Sequence, residues 1–185
     1  MAFEPNSPAA MLFLTTVRIE TVERDENGDD ARYIATGFLV ESKRGAAYLV
    51  TCRHVVEHAS RGSLVFRPAH KRAPVYGNAE VSFDVTDLSS YWRCHPDPDV
   101  DVAVTPMDTL LREIAAPGLP PYLVPLPATM IPTPSQLEDL DALEEVAFVG
   151  YPRGLWDQRN GFPILRRGIT ASPLYPWTLM GQKSF

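Results

Sequence analysis

The chain is poor in cysteine, in basic charge and in long apolar runs, and each shortage removes a class of answer. Two cysteines, Cys52 and Cys94, in 185 residues make no disulfide framework and fit a reducing compartment. No stretch approaches the ~18 consecutive apolar residues of a membrane-spanning helix. The opening segment, MAFEPNSPAAMLFLTTVRIE, has no basic stretch, and its apolar run at residues 11–14 is too short for a secretory signal. A cytoplasmic location is therefore expected. Lys and Arg number 17 against 23 Asp and Glu, a formal net charge of −6. Nucleic-acid binders usually gather basic residues on one face. Here the tight basic clusters are the pairs Lys43-Arg44, Lys71-Arg72 and Arg166-Arg167, which read as solvated surface. Neither a Gly-rich phosphate loop nor a dinucleotide fingerprint occurs, and there is no internal repeat. No nucleic-acid partner, membrane partner or cofactor is expected.

Proline is plentiful instead. The chain has 18 prolines, about twice the ~5% average usage. Proline is poor inside helices and central strands, so the composition leans toward an all-β fold rich in loops and edges. With 45% hydrophobic residues the chain is long enough to bury a core. Runs bounded by turn residues predict strands over residues 11–22, 32–41, 46–52, 63–67, 81–85 and 102–105. Asn27-Gly28 marks a hairpin tip between the first two. The acidic residues around it lack EF-hand spacing and the closing glutamate. Gly37 signals a bulge or a close backbone approach. Residues 108–116 read as a short helix or linker, and a new strand begins near Tyr122. Residues 135–143 carry an acidic helical turn. Strands at 145–149 and 164–171 are joined by the loop GYPRGLWDQRNGFP. Short strands at such spacing favour a barrel or sandwich. Trp92, Trp156 and Trp177 read as packing aromatics, and Cys52 and Cys94 as packing residues.

The stretch that carries chemistry is YLVTCRHVVEH, residues 48–58, an apolar strand that ends in an imidazole. His54, Glu57 and His58 match H-x-x-E-H, a zinc-peptidase signature. That chemistry needs a true helix, so that the histidines share one face. Here a strand abuts the motif and leaves room for a turn or two, so no metal is expected. Acid–base work is the other option: an imidazole needs a carboxylate on its far nitrogen to fix its tautomer. HPDPDVDVAVTP offers Asp97, Asp99 and Asp101. Asp97 and Asp99, each beside a proline, are expected to face water. Asp101 opens an apolar run, and a strand start there would draw its side chain inward.

GFLV at residues 37–40, YLVTCRHVV at 48–56, DVAV at 101–104, VAFVGYP at 146–152 and RRGITAS at 166–172 stand in a telling order. Together they resemble the trypsin-like serine proteases, most visibly the intracellular-looking bacterial branch. In that family a strand ends in T-x-x-H, and the aspartate opens D-[hydrophobic]-A-[hydrophobic]. The resemblance covers nearly all of the chain from about Leu12. It implies a chymotrypsin-like double β-barrel with the active site in the cleft between barrels. It also implies His54 as general base and acid, Asp101 as the residue that orients it, and a peptide or protein substrate.

The family's nucleophile lies in a G-x-S-G segment, and this chain has none. After Asp101 the serines are Ser135, Ser172 and Ser184. Ser135 reads as a helix N-cap, Ser172 stands before Pro173 at a strand exit, and Ser184 lies near the end. None has the flanking glycines that let amides converge on an oxyanion. The expectation is an N-terminal barrel over residues 1–108 carrying His54 and Asp101, complete in itself. A linker and an incomplete second barrel would follow over 109–185. Such a chain would be an inactive serine endopeptidase domain as it stands, completed by a partner or a missing C-terminal segment. The alternative is a protease-like module that binds without catalysis.

Overall fold

The computed structural model describes residues 7–24, 27–113 and 118–173; Trp177 and Ser184 lie outside them. Helix α1 (Pro8–Thr15) comes first. The Ser7 side chain accepts a hydrogen bond from the Ala10 amide at 3.1 Å, and Pro8 opens the first turn. This corrects the expected strand over residues 11–22, whose first five residues are helical. The apolar run looked like strand, but a Ser-Pro cap in front of it nucleates a turn.

The strands follow in chain order. They are β1 (Thr16–Arg24), β2 (Asp30–Glu41), β3 (Ala47–Thr51), β4 (Arg61–Phe66), β5 (Ala69–His70), β6 (Ala73–Pro74), β7 (Val81–Thr86), β8 (Arg93–Cys94) and β9 (Ala103–Pro106). After them come β10 (Leu126–Pro127), β11 (Glu145–Gly150) and β12 (Ile164–Ile169). Three further helices are short: α2 (Arg53–Val56), α3 (Met107–Glu113) and α4 (Pro134–Glu138). None of the described helices is long and apolar enough to cross a membrane. The expected N-cap Ser135 lies inside α4; the cap is Thr133, in a reciprocal capping box with Gln136. Near Tyr122 there is a single bridge, Pro68 with Pro121, and the strand proper, β10, comes later.

The fold is mostly β, built on one large antiparallel sheet in the order β7-β4-β1-β2-β3-β9-β8, with β10 added in parallel beside β2. Backbone pairing does not close this ladder into a ring, in contrast to the complete first barrel expected. The sheet is nonetheless far from flat. β7 and β9 stand five places apart, roughly 24 Å in a flat sheet. Yet Val81, Phe83 and Val85 of β7 share one core with Ala103 of β9 and with Ile19, Leu39, Leu49 and Leu64 between them. Among the described residues, Val56, Ala59, Leu88, Trp92, Met107 and Leu110 enter that core from outside the strands, and Val55, Tyr91 and Leu123 pack against it half-buried. Side chains this deeply buried need cover, so the sheet curls and covers itself. Gly37 lets it do so. The pairing of Val17 with Gly37 runs without a bulge, and a Cβ on Gly37 would stand 2.9 Å from both Ile19 Cδ1 and Leu49 Cδ1.

β11 and β12 form a separate two-stranded hairpin. Phe148, Leu165 and Ile169 on it are exposed, as are Leu143 and Leu155 beside it. A two-stranded hairpin is marginal in water, and this one is held by the large sheet. The Tyr151 amide donates to the Thr36 hydroxyl of β2 at 2.9 Å, and two arginines add to the joint. Arg18 of β1, only 5% exposed, pairs with Glu80 and Glu20 and stacks over Trp156 at 4.6 Å. Burial opposes its charge, but the carboxylates, Glu80 above all, outweigh burial and raise its pKa. Tyr151 beside it is pushed up to about 12 by burial.

Arg67 is the second bolt. Its guanidinium donates to the carbonyls of Val75, Gly77, Asn160 and Gly161 and lies 4.4 Å from the Phe162 ring centre. An ammonium cannot span two loops or stack in this way. Arg67→Lys is expected to cost about 1–3 kcal/mol, since hydrogen bonds to charged groups are strong. Urea denaturation followed by tryptophan fluorescence measures it. An unchanged midpoint would show that Arg67 does not join the two parts.

Candidate active site

β3 is anchored along its buried face. Leu49 is fully buried, and the Thr51 hydroxyl donates to the Thr36 carbonyl at 2.9 Å. The strand stops at Cys52, whose backbone is still extended, and the chain then winds into the single turn of α2. Val56 is fully buried and pins that turn to the core, so His54 is mounted on a short, fixed bracket.

Asp101 comes from the approach to the neighbouring strand, β9. β9 pairs antiparallel with β3, and Thr51 faces Ala103. Two residues beyond that pair, the register brings Asp101 level with the first turn of α2. Its carboxylate makes a two-point grip. Oδ1 accepts the backbone N–H of His54 at 3.0 Å, and Oδ2 meets the ring Nδ1 at 2.6 Å. One carboxylate therefore caps the turn and orients the ring. In the neutral ring Nδ1 then carries the proton, because an ionised carboxylate only accepts. The Nε2 lone pair is left as the acceptor. The His54 amide, first of all, and then the ring and Cys52 hold the Asp101 carboxyl below its ordinary range against the opposing effect of burial.

Asp101 was expected to point inward, and it does not. Its side chain is 52% exposed and that of His54 69%. The strand starts only at Ala103, so Asp101 precedes the pleat and follows the helix turn instead of the core. Asp97 and Asp99 are exposed, as expected, in a turn where Asp97 accepts from the Asp99 amide at 3.0 Å.

The H-x-x-E-H residues are not gathered as ligands. Helix α2 ends at Val56, Glu57 is engaged by Arg53 at 2.7 Å, and the His54 ring is turned to Asp101. Among the described residues, His58 meets only Glu57, at 3.7 Å.

Sequence reasoning missed Cys52. Cys52 and Cys94 are both exposed, not packed. The Cys52 sulfur lies within 4.8 Å of donor atoms on His54 and Asp101. Burial, then the charge of Asp101, pushes its thiol up. It is therefore a poor nucleophile, since the thiolate is the reactive form. The signal for its place is tertiary: the β3–β9 register sets Cys52 beside the start of DVAV.

Among the described residues, no serine after Asp101 is hydrogen-bonded to the ring. Ser135 Oγ lies 3.1 Å from Thr133 Oγ1, and Ser172 is exposed in the bend after β12. Trp92 is buried in the core and Trp156 stacks under Arg18, as expected of packing aromatics.

No protein-family model matches this chain, and no curated protein matches its sequence. The geometry itself offers an oriented imidazole on an exposed side chain.

Proposed function

We propose that this chain carries the acid–base half of a trypsin-like serine endopeptidase site, on a chymotrypsin-like double-barrel frame. The observation that carries the reading is the two-point grip of Asp101 on His54, at 3.0 and 2.6 Å. A carboxylate that merely capped the turn would need only the first contact. The second fixes the tautomer that lets Nε2 take a proton from a hydroxyl and return it to a leaving amine. Two features support the frame: the curled sheet around one core, and a second sheet joined to it by Arg18 and Arg67. Such a site acts on a peptide or protein, without a cofactor, in the cytoplasm.

The dyad stands open to water, where charge stabilisation is weak. A nucleophile segment with its amide donors would supply both the hydroxyl and a drier wall. The test is the DNA that follows codon 185. A G-x-S-G is expected within a few dozen codons. The protein extended through it is expected to take up one fluorophosphonate per chain, and His54→Ala to slow this by about a millionfold. Unrelated downstream sequence, with no labelling, would overturn the reading. It would favour a non-catalytic binding module, the use suggested by the exposed apolar residues of the β11–β12 hairpin.

A further inference from the structure

Cys52, His54 and Asp101 enter one small volume from the end of β3, the turn of α2 and the approach to β9. A thiol sulfur, an imidazole nitrogen and a carboxylate oxygen there lie within 4.8 Å of one another. Two ligands on one tetrahedral zinc, with bonds of ~2.0–2.3 Å, stand roughly 3.5 Å apart. The set is therefore close to the spacing a single ion imposes. Its chemistry is also selective. A thiolate with an imidazole favours zinc over the hard cations magnesium and calcium, which take oxygen ligands. All three side chains are exposed, so an ion has a path in and room for a water as fourth ligand.

We infer that Cys52, His54 and Asp101 form a binding site for a thiophilic divalent cation of the zinc class, and that its occupancy disarms the His54 ring as a base. The step balances without redox chemistry. Cys52 releases its thiol proton to solvent and binds as thiolate. The ring binds through Nδ1, giving up the proton there and taking one from water on Nε2, so it stays neutral. Asp101 is already ionised. The 2.6 Å contact between Nδ1 and Oδ2 opens by roughly 1 Å to admit the ion, a movement of exposed side chains only. With a proton on Nε2 the ring has no lone pair for a hydroxyl. The site itself stands on the three donors; the loss of base function rests on the peptidase reading.

Cobalt titration of the 185-residue chain, kept reduced, tests the site without any nucleophile. A thiolate-to-cobalt charge-transfer band is expected to saturate at one cobalt per chain and to be bleached by zinc. Cys52→Ser should abolish the band, Cys94→Ser should leave it, and Asp101→Ala should weaken binding at least tenfold. With zinc bound, nitrogen NMR of the ring should find its proton on Nε2. No band, a band that follows Cys94, or one indifferent to Asp101 would overturn the site. A ring proton still on Nδ1 would overturn the disarming. Absence of fluorophosphonate labelling in the extended protein bears on neither result, so the two readings fail separately.

Discussion

Asp101→Asn is expected to leave the fold intact and to lower the reactivity of the extended, serine-bearing protein by about 10⁴-fold, the loss typical of a wrongly held triad histidine. The reason lies in the two contacts. The asparagine carbonyl can still accept the His54 backbone N–H, now accepted by Oδ1 at 3.0 Å, so the turn of α2 keeps its cap. The other contact inverts. The Nδ2 amide of asparagine only donates, and toward Nδ1 it demands a lone pair where the wild-type ring holds a proton. The ring answers by carrying its proton on Nε2, where it no longer serves as a base.

The same variant is informative in the 185-residue chain. Nitrogen NMR of the imidazole should show the proton on Nδ1 in the wild type and on Nε2 in Asp101→Asn. Asp101 is a surface group, so the melting temperature should move little. Asp101→Ala removes cap and orienter together, and comparing the two variants separates turn stability from tautomer control. A ring that keeps its Nδ1 proton in Asp101→Asn would overturn the orienting role.

What could be read in advance follows from how local each signal is. β2, β3, β7, β11 and β12 fall close to their expected places. Each is a run of β-branched and apolar residues closed by a turn, and that pattern needs no neighbour to decide it. α1 went unread because Met11, Leu12, Phe13 and Leu14 fit strand and helix equally. The deciding residues, Ser7 and Pro8, sit before the run. The two-residue strands β5, β6 and β8 exist only through pairing, and no composition marks them. In the site, His54 and Asp101 could be named from the family's motifs, and they stand in contact. Cys52 could not, because its place beside them comes from the register of β3 against β9, with Thr51 facing Ala103. The outward turn of Asp101 was hidden for the same reason: the strand that would have drawn it inward begins two residues later, at Ala103.

The largest stability effect is expected at Gly62, where the obstacle is backbone. Gly62 lies in β4 opposite Thr21 of β1. A Cβ there would stand 2.3 Å from the Glu20 carbonyl oxygen and 2.8 Å from Leu88 Cδ2. Leu88 is fully buried in the core, so neither neighbour can step aside without moving the structure behind it. Gly62→Ala therefore has to push β1 and β4 apart. Overpacking of side chains typically costs about 1–3 kcal/mol, and a clash with a strand carbonyl adds lost ladder bonds. Against a total stability of about 5–15 kcal/mol for a domain, Gly62→Ala should lower the urea midpoint sharply or leave the chain unfolded. Gly28 supplies the control. Its φ is +85 and nothing lies within 4 Å of a Cβ there, so Gly28→Ala meets only left-handed strain, about 1 kcal/mol. Gly28→Asn should recover part of that, because asparagine tolerates this region. If Gly62→Ala proved no worse than Gly28→Ala, β1 and β4 would not be as closely apposed as their register requires.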